Sequence, residues 1–103
     1  MHPTIEKHRA SISELCRRFG VKRLDVFGSG ARGSDFDPSR SDVDFLVEFG
    51  VGSEAPTLGR YFALRDGLAE ILGRPVDLVS AGRIENPFIR EDVERTREPL
   101  YAS

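Results

Sequence analysis

The sequence contains a single cysteine, Cys16, and no long uninterrupted run of apolar residues. One cysteine excludes an intrachain disulfide framework, so a reducing compartment is expected. No stretch approaches the ~20 apolar residues that a membrane helix needs, and residues 1–7 lack the organisation of a signal peptide. We therefore expect a cytoplasmic protein with no membrane association.

The charge composition shows no excess of basic residues. The 103 residues include 15 Lys and Arg against 17 Asp and Glu, which gives a formal net charge of −2. General nucleic-acid binders usually show a basic face and a high pI, so direct nucleic-acid binding is not expected. The length and the hydrophobic content of 39% fit one compact domain that spans residues 1–103.

The spacing of apolar residues predicts alternating helices and strands. Helices are predicted over residues 4–19, 57–72 and 87–97, and strands over residues 21–27, 42–49 and 76–79. Thr4 is the expected N-cap of the first helix, and Asn86 and Pro87 suit the start of the last one. The residues after 98 either dock or fray. This order predicts an α/β fold in which a small mixed β-sheet has helices packed on one face.

The second long helix has an apolar side that we expect to be buried. Its members are Leu58, Tyr61, Phe62, Leu68, Ala69 and Leu72.

Two acidic residues lie in the most regular predicted strand. Asp42 and Asp44 are two positions apart, so both carboxylates point to one face, about 6–7 Å apart along the backbone. The opposite face is apolar and consists of Val43, Phe45, Val47 and Phe49. Asp is depleted in strands, so the pair indicates a bound cation, a neighbouring Arg or a solvated face.

A third acid, Asp77, lies in the predicted strand 76–79. If that strand pairs beside strand 42–49, three carboxylates converge. Such a hard, oxygen-rich set suits Mg²⁺, and a two-metal arrangement would stabilise the attacking and leaving oxygens of an in-line displacement. For Asp77 the alternative is a strand-end acid that lies near an Arg.

A glycine-rich turn, from Gly28 to Gly33, follows the first predicted strand. Glycine lets the backbone approach a phosphate closely, and N–H groups at the following helix start can surround an anion. The turn matches neither the dinucleotide-binding fingerprint nor the Walker A motif. The turn and the Asp-x-Asp pair are each weak signals, but together on two successive strands they are much more specific.

The run Gly28-Ser29-Gly30-Ala31-Arg32-Gly33, followed by Ser41-Asp42-Val43-Asp44-Phe45-Leu46-Val47, resembles the signature of the DNA polymerase beta-like nucleotidyltransferase superfamily. More narrowly, it resembles the minimal nucleotidyltransferase (MNT) proteins, many of which are antitoxins paired with a HEPN-domain toxin.

The resemblance implies a role for each matching position. Gly28 and Ser29 would bind the nucleoside triphosphate, with ATP as the default. Asp42 and Asp44 would ligate two Mg²⁺ ions. Asp77 would complete the second metal site and help to deprotonate the acceptor hydroxyl. Two further roles are implied: Arg32 would contact phosphate or brace the carboxylates, and Ser41 would cap the loop before the acids.

The resemblance also implies a function. The chain would transfer AMP to a hydroxyl, such as that of a tyrosine, on a partner HEPN toxin, and would form a hetero-oligomer as the antitoxin of a type VII-like system. Its length leaves no room for an acceptor-binding domain, so the partner would present the acceptor.

Two alternatives stay open. The first is a non-catalytic antitoxin that masks the toxin by contact, through exposed apolar residues around Phe88, Ile89, Leu100 and Tyr101. The second is an enzyme that nucleotidylates a small molecule.

Overall fold

The computed structural model describes residues 1–32, 42–50, 58–81, 84 and 86–102. The helices in these ranges are α1 (Pro3–Glu6), α2 (Arg9–Arg18), α3 (Ser29–Arg32), α4 (Leu58–Leu72) and α5 (Pro87–Thr96). The strands are β1 (Val21–Phe27), β2 (Val43–Phe49), β3 (Val76–Ser80) and β4 (Glu98–Ala102). The predicted loop over residues 34–41, with Ser41, lies outside the described residues, as do the side chains of Ser29 and Arg32.

The four strands form one mixed sheet in the order β3-β2-β1-β4. Strand β1 pairs antiparallel with β2 and β4, whereas β2 and β3 are parallel. The predicted mixed sheet with helices packed on it is confirmed. Within the described ranges, no helix has the length and apolar character that crossing a membrane requires.

The main core lies on one face of this sheet, because β2 alternates as its sequence predicts. Val43, Phe45 and Val47 are buried there in a cluster with Ile12 of α2 and Leu64 of α4. The opposite face of the sheet carries a smaller cluster of Phe27, Leu46 and Val93. Since Val93 belongs to α5, this last helix packs on the face that the main helices leave open, so helices lie on both faces of the sheet and not on one face as the sequence predicted.

The first predicted helix is divided in two, so the prediction of one continuous helix over residues 4–19 is wrong. Helix α1 is capped at its start by His2, whose Nδ1 accepts the Thr4 N–H at 3.1 Å, and not by Thr4. The His2 N–H donates to the Gly30 carbonyl at 2.9 Å. Ile5 is buried against Gly30, where an added Cβ would lie 2.8 Å from the Ile5 Cδ1. The break thus lets α1 pack onto the turn that follows β1.

Helix α4 buries fewer residues than its sequence predicts. Leu68 and Leu72 are buried, together with Leu64, but Leu58 is 70% exposed and Phe62 is 38% exposed. The prediction for Leu58 and Phe62 is wrong because both lie outside the buried stripe of this helix, which is formed by Leu64, Leu68 and Leu72.

The C-terminal residues dock on the sheet. Helix α5 begins as predicted, since the Asn86 Oδ1 accepts the Phe88 N–H at 2.9 Å and Pro87 follows the cap. The chain then returns as β4, which pairs with β1 and buries Leu100 in the main core. The expectation that Leu100 contributes to an exposed apolar surface is therefore wrong.

Candidate active site

The turn between β1 and α3 is formed around Gly28. Its φ of +70° lies in the left-handed region, which costs a residue with a Cβ about 1–2 kcal/mol. The Gly28 carbonyl accepts the Ala31 N–H at 3.1 Å, which closes the turn. An added Cβ at Gly28 would lie 2.9 Å from the Oδ2 of Asp44. Glycine is therefore favoured here by the backbone conformation, and any larger residue would displace the Asp44 carboxylate that lies against it.

Strand pairing places Asp44 at the centre of the candidate site. In the antiparallel pair of β1 and β2, Asp44 is opposite Phe27, the residue before the turn. In the parallel pair of β2 and β3, Asp44 is opposite Asp77. Neighbouring strands are about 4.8 Å apart, so these two acids are close at the backbone and share a face. The condition for grouping Asp77 with the Asp-x-Asp pair, that strand 76–79 lies beside their strand, is therefore met.

The three predicted acids differ in their exposure. Asp44 is half-buried between the turn and β3, whereas Asp77 is exposed at the outer strand. Asp42 is exposed too and lies two residues before Asp44, on the same face by alternation. Two of the three acids, Asp42 and Asp77, are thus accessible to solvent.

Helix α4 lies close to the outer strand that carries Asp77. Burial raises the pKa of the Tyr61 phenol above its ordinary value; the nearby Arg65 guanidinium opposes this rise, and the Asp77 carboxylate adds to it. The Asp77 carboxylate therefore interacts electrostatically with the Tyr61 hydroxyl, and Tyr61 is the residue of α4 that lies on the Asp77 side of the site.

Helix α5 contributes two residues that the sequence interpretation missed. The Oδ2 of Asp92 lies 3.5 Å from the position of an added Cβ at Gly28, beside the Asp44 carboxylate. The Thr96 hydroxyl accepts the Gly28 N–H at 2.8 Å and donates to the Asp92 carbonyl at 2.5 Å. Asp92 and Thr96 are four residues apart, so they share a helix face. The sequence shows only that Asp92 and Thr96 lie on one side of a predicted helix. It does not show that this side faces the Gly28 turn.

A buried ion pair fixes the end of α5 to the sheet. Asp25 of β1 is fully buried and accepts hydrogen bonds from Arg97 Nε at 2.8 Å and Arg23 Nε at 3.0 Å. Arg97 directly follows α5, and Asp25 is three residues before Gly28. The ion pair therefore holds the C-terminal end of the helix beside the turn. The sequence analysis did not single out Asp25, and its only local sign is an acid between the apolar residues Leu24 and Val26.

The donor atoms fit a hard divalent cation. Asp42, Asp44 and Asp77 offer only carboxylate oxygens, which Mg²⁺ prefers while it keeps water and phosphate oxygens as its other ligands. Among the residues that the structure describes, no three His, Cys, Asp or Glu side chains lie close enough together to hold a metal ion by themselves. The metal-binding roles of the three acids, and the nucleotide-binding roles of Gly28, Ser29 and Arg32, remain predictions.

The nucleotidyltransferase domain family model matches residues 8–99, which include the turn, both strands with the acids, and α5. The chain belongs to the nucleotidyltransferase domain family. It is 41% identical to protein adenylyltransferase MntA of Thermococcus cleftensis over 88 residues, which cover 85% of this chain and 81% of that protein. The predicted relationship to the minimal nucleotidyltransferases is therefore confirmed.

Solved structures agree with this assignment to the nucleotidyltransferases. The structure of a candidate minimal nucleotidyltransferase shares 39% identity, with a TM-score of 0.72 and coverage of 96% of each chain. A chain from the structure of a tri-AMPylated Shewanella oneidensis HEPN toxin in complex with an MNT antitoxin has a TM-score of 0.66. It shares 20% identity and covers 96% of this chain and 73% of its own length, a likeness that shows the common fold.

Proposed function

We propose that this nucleotidyltransferase is a protein adenylyltransferase that transfers AMP from ATP to a hydroxyl of a HEPN toxin and so acts as its antitoxin. The observation that carries the proposal is the position of Asp44, which lies against the Gly28 turn on one side and is paired with Asp77 on the other. The similarity to an MntA protein adenylyltransferase supports the reaction type.

The same site supports a specific reaction. The oxygen of the acceptor hydroxyl would form a bond to the α-phosphorus of ATP while the bond to the bridging oxygen breaks, and pyrophosphate would leave. Asp42, Asp44 and Asp77 would hold Mg²⁺, which supplies the positive charge that stabilises the transferring phosphoryl group. The Gly28 backbone would lie against the phosphates. Asp77 would accept the hydroxyl proton, because its carboxylate is exposed where an acceptor can reach it.

The acceptor is proposed to come from a second protein, so that the two chains form a hetero-oligomer. Two of the three acids of the candidate site, Asp42 and Asp77, are exposed. A folded partner can therefore present a tyrosine or another hydroxyl side chain directly to these acids. The fold is shared with a chain from a complex that contains an AMPylated HEPN toxin, which favours a partner of that class.

The transfer can be tested by intact mass spectrometry. The HEPN-domain toxin is incubated with ATP, Mg²⁺ and either the wild-type chain or Asp44→Asn. The matched control is Asp66→Asn, which removes an exposed acid of α4 whose partner is Arg65. The wild type and the control are expected to add the mass of AMP to the toxin, and Asp44→Asn is not. An unmodified toxin with the wild type, or equal modification by Asp44→Asn, would contradict the proposal.

A second candidate function is neutralisation by contact alone. Phe88 is 80% exposed and Ile89 is 39% exposed at the start of α5, and such a surface favours protein contact. The double variant Asp42→Asn/Asp44→Asn separates the two functions in cells that express the toxin. Full protection by the double variant would favour contact, whereas loss of protection that Phe88→Ser does not reproduce would favour catalysis.

A further inference from the structure

A hydroxyl from the last helix holds the backbone of the glycine turn. The Thr96 Oγ1 accepts the Gly28 N–H at 2.8 Å across 68 residues of sequence. The same hydroxyl donates its proton to the Asp92 carbonyl at 2.5 Å, so it is bound on both sides. Its orientation is fixed by this second bond, and it can only act as an acceptor towards Gly28.

This bond determines which part of the turn faces a substrate. The Gly28 N–H already donates to Thr96, so it is not available as a hydrogen-bond donor to a substrate. Gly28 would instead contact a substrate through its unsubstituted Cα. That Cα lies against the Asp44 carboxylate, with a positive φ of +70°. Rotation of the Gly28 peptide would change this φ and move the turn relative to Asp44.

We propose that Thr96 is a positioning residue for the nucleotide-binding turn: its hydroxyl fixes the Gly28 peptide and thereby sets the distance between the turn and Asp44. The inference rests on the proposed function, since the ligand of the turn is taken to be the triphosphate of ATP. The proposal adds a residue of α5 to the active site, outside both the glycine-rich motif and the three acids.

The helix that carries Thr96 has its own anchors. Val93 is buried against Phe27 and Leu46, and Arg97 is bound to the buried Asp25. Loss of the Thr96 hydroxyl therefore leaves α5 in place and releases only the Gly28 peptide. A purely structural role would instead appear as a loss of stability with unchanged affinity for ATP.

The test compares two substitutions at the same position. Thr96→Val keeps the shape of the side chain and removes the hydroxyl, whereas Thr96→Ser keeps the hydroxyl. Ser11→Ala is the matched control, since it removes an exposed hydroxyl from α2. The readouts are the hydrogen-exchange rate of the Gly28 amide by NMR, the affinity for a non-hydrolysable ATP analogue, and KM and kcat for AMP transfer.

In Thr96→Val, Gly28 amide protection is expected to be lost, and both the analogue Kd and the KM for ATP are expected to rise about tenfold, as the loss of one partly buried hydrogen bond that positions the turn predicts. Thr96→Ser and Ser11→Ala are expected to match the wild type. Unchanged Gly28 exchange in Thr96→Val, or an affinity within about twofold of the wild type, would overturn the inference. Failure of the proposed function is recognised separately, because the wild type itself would then neither bind the analogue nor transfer AMP.

Discussion

Substitution of Gly28 by alanine separates backbone strain from the geometry of the site. Gly28 and Gly73 have nearly the same φ, +70° and +67°, so an alanine at either position has the same unfavourable backbone conformation. They differ in what the new methyl group meets. At Gly28 it would lie 2.9 Å from the Oδ2 of Asp44, whereas nothing lies within 4 Å at Gly73. Gly73→Ala is therefore a control matched in strain alone.

The expected magnitudes follow from these two observations. A left-handed φ costs an alanine about 1–2 kcal/mol, so both variants are expected to lose that much free energy of unfolding. For a domain of this size, each kcal/mol lowers the Tm by roughly 4–8 °C. The Asp44 carboxylate is the end of a side chain and can turn away at little further cost in stability. Such a movement displaces a predicted metal ligand by about 1 Å, which can cost on the order of 100-fold in rate.

The two variants are compared by thermal unfolding and by AMP transfer below both transitions. We expect similar Tm values for Gly28→Ala and Gly73→Ala, and a loss of transfer in Gly28→Ala alone. Wild-type transfer by Gly28→Ala would show that the contact with Asp44 does not matter for the reaction. An equal loss of transfer in Gly73→Ala would show that strain, and not the site, limits activity.

Two further predictions concern stability. Asp25→Ala removes the acceptor of both Arg97 and Arg23 and is expected to lower the free energy of unfolding by about 1.5–3 kcal/mol in chemical denaturation, because both arginine side chains are partly exposed and can be hydrated. Arg23→Ala keeps the bond from Arg97 to Asp25 and is expected to cost clearly less. Equal losses in the two variants would mean that the bond from Arg97 contributes nothing to stability. Burial raises the pKa of the Cys16 thiol from 9.0 to about 12, so the unfolded chain loses this proton first and stability falls as the pH rises between these values. The wild type should then lose more stability than Cys16→Ala between about pH 8 and pH 11, and parallel losses would contradict this assignment.

The parts of the fold that depend on short-range patterns could be predicted from the sequence. Strand β2 alternates between apolar and polar residues except at Leu46, and a period of two predicts which face lies in the main core. Asn86 and Pro87 form a local cap, so the start of α5 was predictable to the residue. Asp44 and Asp77 could be grouped only on the condition that their strands pair, and the register of β2 and β3 meets this condition.

The remaining features depend on contacts between distant segments. Nothing in residues 4–19 marks the break between α1 and α2. The break separates α1, whose Ile5 packs on Gly30, from the longer α2. Leu58 was assigned to the buried side of α4 from its spacing, yet it is 70% exposed, because spacing alone does not show which part of a helix contacts the sheet. The contact between Thr96 and Gly28 joins residues 68 positions apart, and periodicity carries no information at that distance.

The central claim is that the turn at Gly28 and the acids Asp42, Asp44 and Asp77 form one nucleotide- and metal-binding site. A crystal structure with Mn²⁺ and a non-hydrolysable ATP analogue tests it most directly, because anomalous scattering locates Mn²⁺ independently of the nucleotide. We predict manganese bound to the three carboxylates, with the triphosphate against the Gly28 backbone. Manganese bound elsewhere, or a triphosphate remote from the turn, would contradict the account.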